Sequence, residues 1–273
     1  MKRLTVPQIR RFRKLVYSHF SKHGRSLPWR KTKDPYHILI SEVMLQQTQV
    51  DRVIPKYKEF LRTFPTVDKL ARMPLSKVLW TWSGLGYNRR AVALKKCAEE
   101  IVRAHKGHVP DTIEELDALL GIGHHTAGAI MAFAFNKPVI FIETNIRSVF
   151  LHHFFPRKKK VRDEELIPLI EQTLDRKHPR KWYSALMDYG SSLKKQVVNP
   201  SRRSAHHTKQ STFESSNRQM RGAILKLLIQ KSKTRSQLQK SSGFDPLAIQ
   251  YVLAELEREG FIIRRKDRHA IAD

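Results

Sequence analysis

The sequence predicts an all-α core followed by a small α+β unit, and three observations predict it. From residue 37 to about 190, apolar side chains recur at helical spacing, with almost no alternating pattern of the kind a half-buried strand shows. The breaks in that pattern are short and hold proline or glycine. After a polar interval, three further helical segments end in two brief strand-like runs.

The first helix begins near Thr5 and Pro7, because a proline in the first turn gives up an N–H that had no helical partner anyway. Ile9, Phe12, Val16 and Phe20 then fall on one face, and Leu27-Pro28-Trp29 follows as an anchor. Ile38, Val43, Leu45 and Val50 are assigned to one helix, and Val53, Tyr57, Phe60 and Leu61 to the next. Phe64-Pro65-Thr66, Met73-Pro74-Leu75, Gly84-Leu85-Gly86 and Val109-Pro110-Asp111 mark the later breaks. Residues 194–216, KKQVVNPSRRSAHHTKQSTFESS, carry no acid before Glu214 and almost no apolar spacing, so they read as a basic linker, mobile in the free protein. Residues 217–273 form a separate unit. Met220, Ile224, Leu227 and Leu228 suggest its first helix and Thr234–Lys240 its second. Asp245–Glu259 gives the third, with Asp245 as N-cap, Pro246 at the first helical position and Gly260 as the stop. FIIRRKDRHAIAD supplies two strands around a Lys266-Asp267-Arg268 turn. Three helices and a hairpin look like a winged helix, whose third helix is expected to enter a DNA groove. Contact with protein, or simple packing, is the other reading. No internal repeat is evident.

Charge narrows the partners. The chain of 273 residues has 52 basic and 25 acidic side chains, a formal charge of +27, which points to nucleic acid first and an anionic membrane surface second. No apolar run is long enough to span a bilayer, and no amphipathic membrane helix accompanies the charge. The single cysteine, Cys97, excludes an internal disulfide and any cysteine-rich zinc or iron–sulfur site. A reducing compartment is acceptable: cytoplasm or nucleoid, or a nucleus or organelle in a eukaryote. The first 33 residues lack acids, as a transit peptide does, but their helical periodicity favours a structural role.

Two stretches carry chemistry. In LLGIGHHTAGAI, residues Leu119–Ile130, Gly121 and Gly123 flank Ile122 between two helical patterns. Glycine there permits a tight turn, and the helix that follows presents unpaired N–H groups and its positive dipole end, a seat for phosphate. Small residues from Thr126 onward let that helix pack closely. Such a turn grips DNA without reading its sequence. In PVIFIETNIR, Pro138–Arg147, an apolar run ends on one carboxylate, Glu143. Burying that charge is costly unless it is paired or hydrogen-bonded. Glu143 either caps a helix or faces water, or it waits for a positive charge.

Taken together, LPWR (27–30), SEVMLQQTQV (41–50), FPTVDKLA (64–71), WSGLGYNRRA (82–91), LLGIGHHTAGAI and MDYG (187–190) resemble, in order, the helix–hairpin–helix DNA glycosylase superfamily. The branch they resemble most is the MutY-type adenine DNA glycosylases, over roughly residues 8–193. The resemblance implies a two-lobed helix–hairpin–helix DNA glycosylase core. One lobe would combine residues 1–34 with 139–193. The other would be a six-helix barrel, 35–138, with the helix–hairpin–helix at 119–130. The linker (194–216) and the winged-helix-like domain (217–273) would follow. It further implies Glu42 as the general acid that protonates adenine, Gln46 as the amide wedged into the base stack, Tyr87 as an aromatic that also enters the duplex, and Glu143, followed by Asn145, as the carboxylate beside the sugar. The chemistry agrees. A base must be flipped out before it is attacked. Adenine leaves more easily when protonated, which requires a raised pKa at Glu42; Val43, Met44 and Leu45 are neighbours able to supply desolvation. The oxocarbenium-like sugar needs an anion.

Four departures qualify the resemblance. The family's usual residue at 143 is Asp. Its four cysteines for a [4Fe-4S] cluster are missing, so no cofactor is expected; Lys194, Lys195, Arg202 and Arg203 are candidates to present charge to phosphates instead. The C-terminal unit differs from the family's 8-oxoguanine-reading domain. His125 stands where bifunctional relatives have a Schiff-base lysine, so a glycosylase without strand cleavage is expected; His125 either contacts the flipped base or faces solvent beside His124. The expected activity is excision of mispaired adenine by a monomer on double-stranded DNA, with no membrane partner. The alternatives are a thymine or uracil mismatch glycosylase of the same fold and an inactive DNA-binding protein on this scaffold.

Overall fold

A computed structural model describes residues 3–208 and 216–273. Its helices are α1 (Val6–His23), α2 (Pro35–Leu45), α3 (Val50–Thr63), α4 (Val67–Arg72), α5 (Leu75–Trp82), α6 (Arg89–His105), α7 (Ile113–Ala118), α8 (His124–Phe133), α9 (Thr144–Phe154), α10 (Asp163–Thr173), α11 (Pro179–Gln196), α12 (Asn217–Gln230), α13 (Arg235–Ser242) and α14 (Pro246–Arg258). Short 3-10 turns cover Pro28–Arg30 and Pro200–Arg203. The strands β1 (Lys233–Thr234), β2 (Ile262–Arg265) and β3 (Arg268–Ile271) form one antiparallel sheet in the order β1-β3-β2. Before residue 208 the described chain holds no strand beyond an isolated bridge between Val161 and Ser204, so the expected all-α core is met. No helix among the described residues is long and apolar enough to cross a membrane.

The chain divides into two compact units, with one division inside α2 after Glu42. The first unit takes the chain up to Glu42, Asp111–Ala118, and the chain from Ile122 through the second 3-10 turn. Its core is aromatic: Phe12, Phe150, Trp182 and Tyr183 are buried, with Phe12 edge-on to Phe150 at 5.4 Å and to Trp182 at 6.0 Å. Thr5 caps α1, its Oγ1 accepting from the Gln8 N–H at 3.4 Å while the Gln8 side chain returns a bond to the Thr5 N–H, as the helix start at Thr5 and Pro7 anticipates. Arg13 donates to the Thr173 and Leu174 carbonyls and so caps the C-terminal end of α10. α11 lies close along α9, and Gly190 makes that approach possible: a Cβ there would stand 2.3 Å from the Asn145 carbonyl oxygen.

The second unit contains Val43–Pro110, Leu119–Gly121 and the C-terminal segment from α12 onward. Phe60, Phe64, Trp82, Leu94 and Cys97 are buried in it, and α12 packs on α5. The three expected C-terminal helices and both hairpin strands are present, with Asp245 capping α14 through the Ala248 N–H at 2.8 Å. β1 was not anticipated, since two residues are too few to show alternation.

Two expectations change. Val50 opens α3 rather than continuing α2, because α2 stops at Leu45 and a turn intervenes. The stretch 194–216 is not a linker from its start. α11 runs through Lys194 to Gln196, and the 3-10 turn that follows is pinned to α9, with Ser201 Oγ 2.7 Å from Ser148 Oγ and Arg203 donating to the Leu151 carbonyl at 2.9 Å. The rest of that stretch, 209–215, lies outside the described residues.

Candidate functional site

Glu42 sits in the last turns of α2 between the buried Ser41 and Val43, and keeps only a partial opening to solvent. Burial pushes its carboxyl up to about 8, and the Glu143 carboxylate adds to that shift; Arg30 works in the opposite direction. Glu42, Glu143 and Arg30 all belong to the first unit, so the two acids feel one another within a single body. Arg30 is already committed. It holds Asp188 through two bonds, Nη1 to Oδ2 at 2.7 Å and Nη2 to Oδ1 at 2.8 Å, while Arg25 adds its backbone N–H at 2.8 Å and its Nε at 2.7 Å. Burial pushes the Asp188 carboxyl up, but the bonds from Arg30 and Arg25 outweigh it and hold it below the usual carboxylate range. This pair joins LPWR to MDYG, a link that spacing alone does not reveal.

Glu143 is the N-cap of α9. Its Oε1 accepts from the Asn145 N–H at 2.8 Å and the Ile146 N–H at 3.0 Å, and its Oε2 accepts from Asn145 Nδ2 at 3.2 Å. The cap reading of PVIFIETNIR therefore holds, and the cap also fixes the carboxylate in the field of Glu42. Asn145 is in turn held by Lys194, whose Nζ donates to Oδ1 at 2.8 Å. A lysine ammonium only donates, so it forces the amide oxygen toward itself and the amide NH2 toward Glu143. Burial lowers the Lys194 ammonium pKa, Glu143 raises it and Arg147 lowers it. Lys194 thus bonds the residue that holds Glu143, a bond that competes with any contact it makes to phosphate. Arg203 is likewise spent on the Leu151 carbonyl, while Arg202 and Lys195 remain exposed.

In the second unit Arg90 organises both candidate inserting residues. Its Nη1 donates to the carbonyls of Val43 (2.9 Å), Met44 (2.8 Å) and Gln46 (2.6 Å), which lie at or just beyond the end of α2. Its Nη2 reaches Thr48 Oγ1 at 2.9 Å and the Gly86 carbonyl at 3.2 Å. The guanidinium lies 5.2 Å from the Trp82 ring and 5.5 Å from the Tyr87 ring. Burial pulls it down to about 10, which leaves it charged at neutral pH. Gly84, Gly86 and Tyr87 all have positive φ (94°, 76° and 48°), so a tight loop holds Tyr87 in the left-handed region that a bulky side chain rarely adopts. Arg218 of α12 donates to the Tyr87 hydroxyl at 2.9 Å. Beside Gln46, Val43, Leu94, Leu120 and Gly121 line part of a hollow of about 160 Å³, room for the amide to rotate.

The glycine turn runs from α7 into α8. Gly121 has φ +83°, and a Cβ there would meet the Ala93 methyl at 2.7 Å, so glycine is required twice over. Gly123 is the N-cap of α8 and brings no side-chain bond to the helix start; the Thr126 N–H bonds back to the Gly123 carbonyl at 2.8 Å. His125 is exposed in the first turn beside His124.

A four-cysteine cluster does not fit these residues. The segment after MDYG offers serines and cations, and Cys97 is a buried α6 thiol pushed up to about 12 by burial. Among the described residues no group of three or more His, Cys, Asp or Glu is placed to hold a metal.

Residues 40–171 match the HhH-GPD superfamily of base excision DNA repair proteins. The adenine DNA glycosylase of Buchnera aphidicola subsp. Baizongia pistaciae is 39% identical over 178 residues, covering 65% of this chain and 50% of that one. That of Buchnera aphidicola subsp. Acyrthosiphon pisum is 35% identical over 187 residues, covering 67% and 53%. The chain therefore spans about half the length of the curated relatives it matches. Among solved structures, a thermostable thymine-DNA glycosylase superposes with a TM-score of 0.60 at 25% identity, covering 67% of this chain and 86% of that one. Residues 40–171 therefore form a domain of the HhH-GPD superfamily, on a fold shared with a solved DNA glycosylase.

Proposed function

We propose that the chain is a DNA glycosylase that hydrolyses the N-glycosidic bond of adenine flipped out of a mispair in double-stranded DNA, acting as a monomer in base excision repair and without cutting the strand. The observation that carries this reading is Glu42, a carboxyl pushed up to about 8 in the field of a second carboxylate. At neutral pH it holds a proton to give to a ring nitrogen of adenine. The electrons of the breaking C1′–N9 bond leave with the neutralised base. The sugar gains oxocarbenium character, which the Glu143 carboxylate stabilises; Asn145 orients that carboxylate and Lys194 orients Asn145. Water adds to C1′ and gives up a proton, for which the carboxylates are the acceptors at hand.

The remaining residues serve the DNA. Flipping costs a few kcal/mol of stacking and pairing, about what inserted groups can offset, and Gln46 and Tyr87 take that part. Gly121 and Gly123 offer backbone N–H groups to phosphate and Thr126 its hydroxyl, with the exposed Arg202 as a further phosphate-binding charge. His125, exposed beside His124, is open to contact with DNA but has no amine for a Schiff base, hence hydrolysis without strand cleavage. Residues 217–273 are read as a winged-helix-like unit.

A second reading, excision of thymine or uracil from a mismatch, is favoured by the thymine-DNA glycosylase neighbour. A panel of duplexes with adenine, thymine or uracil in defined pairs, treated with alkali after incubation, separates the two. Cleavage at adenine supports the proposal, and cleavage only at thymine or uracil replaces it. Binding without abasic sites on any pair leaves a non-catalytic DNA-binding protein. Strand breaks before alkali overturn the absence of lyase activity.

A further inference from the structure

The C-terminal segment carries two surfaces of opposite character. On α14, Leu247 is 76% exposed and Tyr251 62% exposed, with Gln250 and Ala254 on the same outward face. Arg258 is the only cation of this helix. Glu255 and Glu259 are engaged by Arg221 at 3.2 and 2.5 Å, Glu259 also by Arg89 at 2.6 Å, and the N-cap Asp245 and Glu257 are exposed. That helix offers phosphate little attraction and some repulsion. The hairpin of β2 and β3 is the reverse. Arg264, Arg265 and Lys266 are exposed, Arg268 is partly so, and Asp267 is the one acid among them.

The register adds a second, independent observation. Arg265 stands directly opposite Arg268, so the two side chains share one face of the sheet; like charges in that position destabilise a strand pair. Among the described residues no acid lies within ion-pair distance of Arg264, Arg265, Lys266 or Arg268, although arginines elsewhere in the segment are paired. The hairpin thus carries an electrostatic cost that a polyanion removes. Arg218, from the same segment, bonds the Tyr87 hydroxyl, so the hairpin rides on the unit that carries a candidate duplex-inserting residue.

We infer that the β2–β3 hairpin, and not α14, is the DNA-contacting element of this segment, and that it binds the phosphate backbone of duplex beyond the mispair without reading bases. The inference rests on the reading that the substrate is duplex DNA. It replaces the expectation that the third helix enters a groove.

The test uses the whole chain and an undamaged duplex several turns long, with affinity measured across a range of salt. Each lost phosphate contact makes the log–log slope shallower by about 0.9, so replacing Arg264, Arg265 and Lys266 together with Gln should reduce it by roughly 2 to 3 and weaken binding about tenfold or more at physiological salt. A charge-keeping Arg264→Lys, Arg265→Lys variant should retain the wild-type slope, which separates loss of charge from loss of fold. A Gln250→Ala, Tyr251→Ala variant on α14 should bind as wild type does. A wild-type slope and affinity in the triple variant overturns the inference, as does a larger loss from the α14 variant. Wild-type excision on the mispair panel reports separately on the glycosylase reading. Excision with an unaltered slope in the triple variant removes only the hairpin, whereas a reduced slope without excision by wild type removes only the glycosylase.

Discussion

Around Glu42 and Glu143, the nearest cations are committed elsewhere: Arg30 to Asp188 and Lys194 to Asn145. Around Gln46 and Tyr87 the opposite holds, because the buried guanidinium of Arg90 is itself the organiser, gathering three carbonyls at the end of α2 and stacking near the Tyr87 ring. The difference suits the role proposed for each group. A proton donor must stay close to the neutral form, so a free cation beside Glu42 would defeat it by stabilising the carboxylate. Gln46 and Tyr87 are placed largely through backbone, the Gln46 and Gly86 carbonyls accepting from Arg90, while the Gln46 amide donates to the Gly121 carbonyl and the Tyr87 hydroxyl accepts from Arg218.

The largest effect expected from breaking this contrast is at Glu42. Glu42→Gln removes the proton and keeps the shape, so single-turnover excision should fall by about 10²- to 10⁴-fold while duplex affinity is retained. The wild-type rate has a sign that follows from the same group. Below about pH 8 the carboxyl is protonated and the rate should be flat; above it the rate should fall roughly tenfold per pH unit. Excision by the Gln variant at the wild-type rate, or a wild-type rate that rises from pH 7 to 9, would sink the general acid.

Lys194 comes next. Lys194→Met frees the Asn145 amide to flip and removes one charge-assisted bond of the Glu143 assembly. A bond of that kind contributes about 1.5 to 3 kcal/mol, or roughly 10- to 150-fold in rate. The loss should appear in the chemical step rather than in duplex affinity, and Lys194→Arg should restore part of it. An equal loss of binding with an intact chemical step would return Lys194 to the phosphates.

These residues also show what was legible beforehand. Helical spacing, proline and Asp-Pro starts placed most of the helices, because capping and amphipathicity are local. The burial of Glu42 was legible because it stands in an apolar run, between the buried Ser41 and Val43, and burial is the main cause of its raised pKa. Arg90 and Asp188 were not, since four of the five Arg90 acceptors lie 42 to 47 positions away and the Asp188 partners 158 to 163, and no local pattern marks them. The contact of Lys194 was hidden for a related reason: a polar stretch rich in lysine has the composition of a linker, yet its first residues extend α11 and bring Lys194 onto Asn145 of α9.

Arg90 sharpens the other half of the comparison. Arg90→Met strands several carbonyls near the end of α2, a loss of about 2 to 4 kcal/mol that should lower the melting temperature by several degrees. Arg90→Lys cannot reach all five acceptors and should fall between the two. Because Gln46 and Tyr87 are both held through this side chain, preference for a mispair over a matched duplex should drop with the stability. A stable Arg90→Met protein with unaltered preference would mean that the inserting residues are positioned by something else.

The smallest effect belongs to the cap that Glu143 makes. Glu143→Ala removes the acceptor for the Asn145 and Ile146 N–H groups, which costs about 1 kcal/mol and, in a protein of this size, about 2 to 4 °C in melting temperature, in addition to any loss of excision. Asp is as good a cap as any residue, so Glu143→Asp should keep the melting temperature within about a degree. Its carboxylate is one methylene shorter and therefore meets the sugar from a different point, so its excision rate isolates reach from charge. If Glu143→Ala melts like wild type, the bonds to α9 carry no weight. If Glu143→Asp keeps both stability and rate, the extra methylene is irrelevant to the chemistry, and the oxocarbenium-facing anion needs only to be present on α9 rather than placed by the Asn145–Lys194 chain.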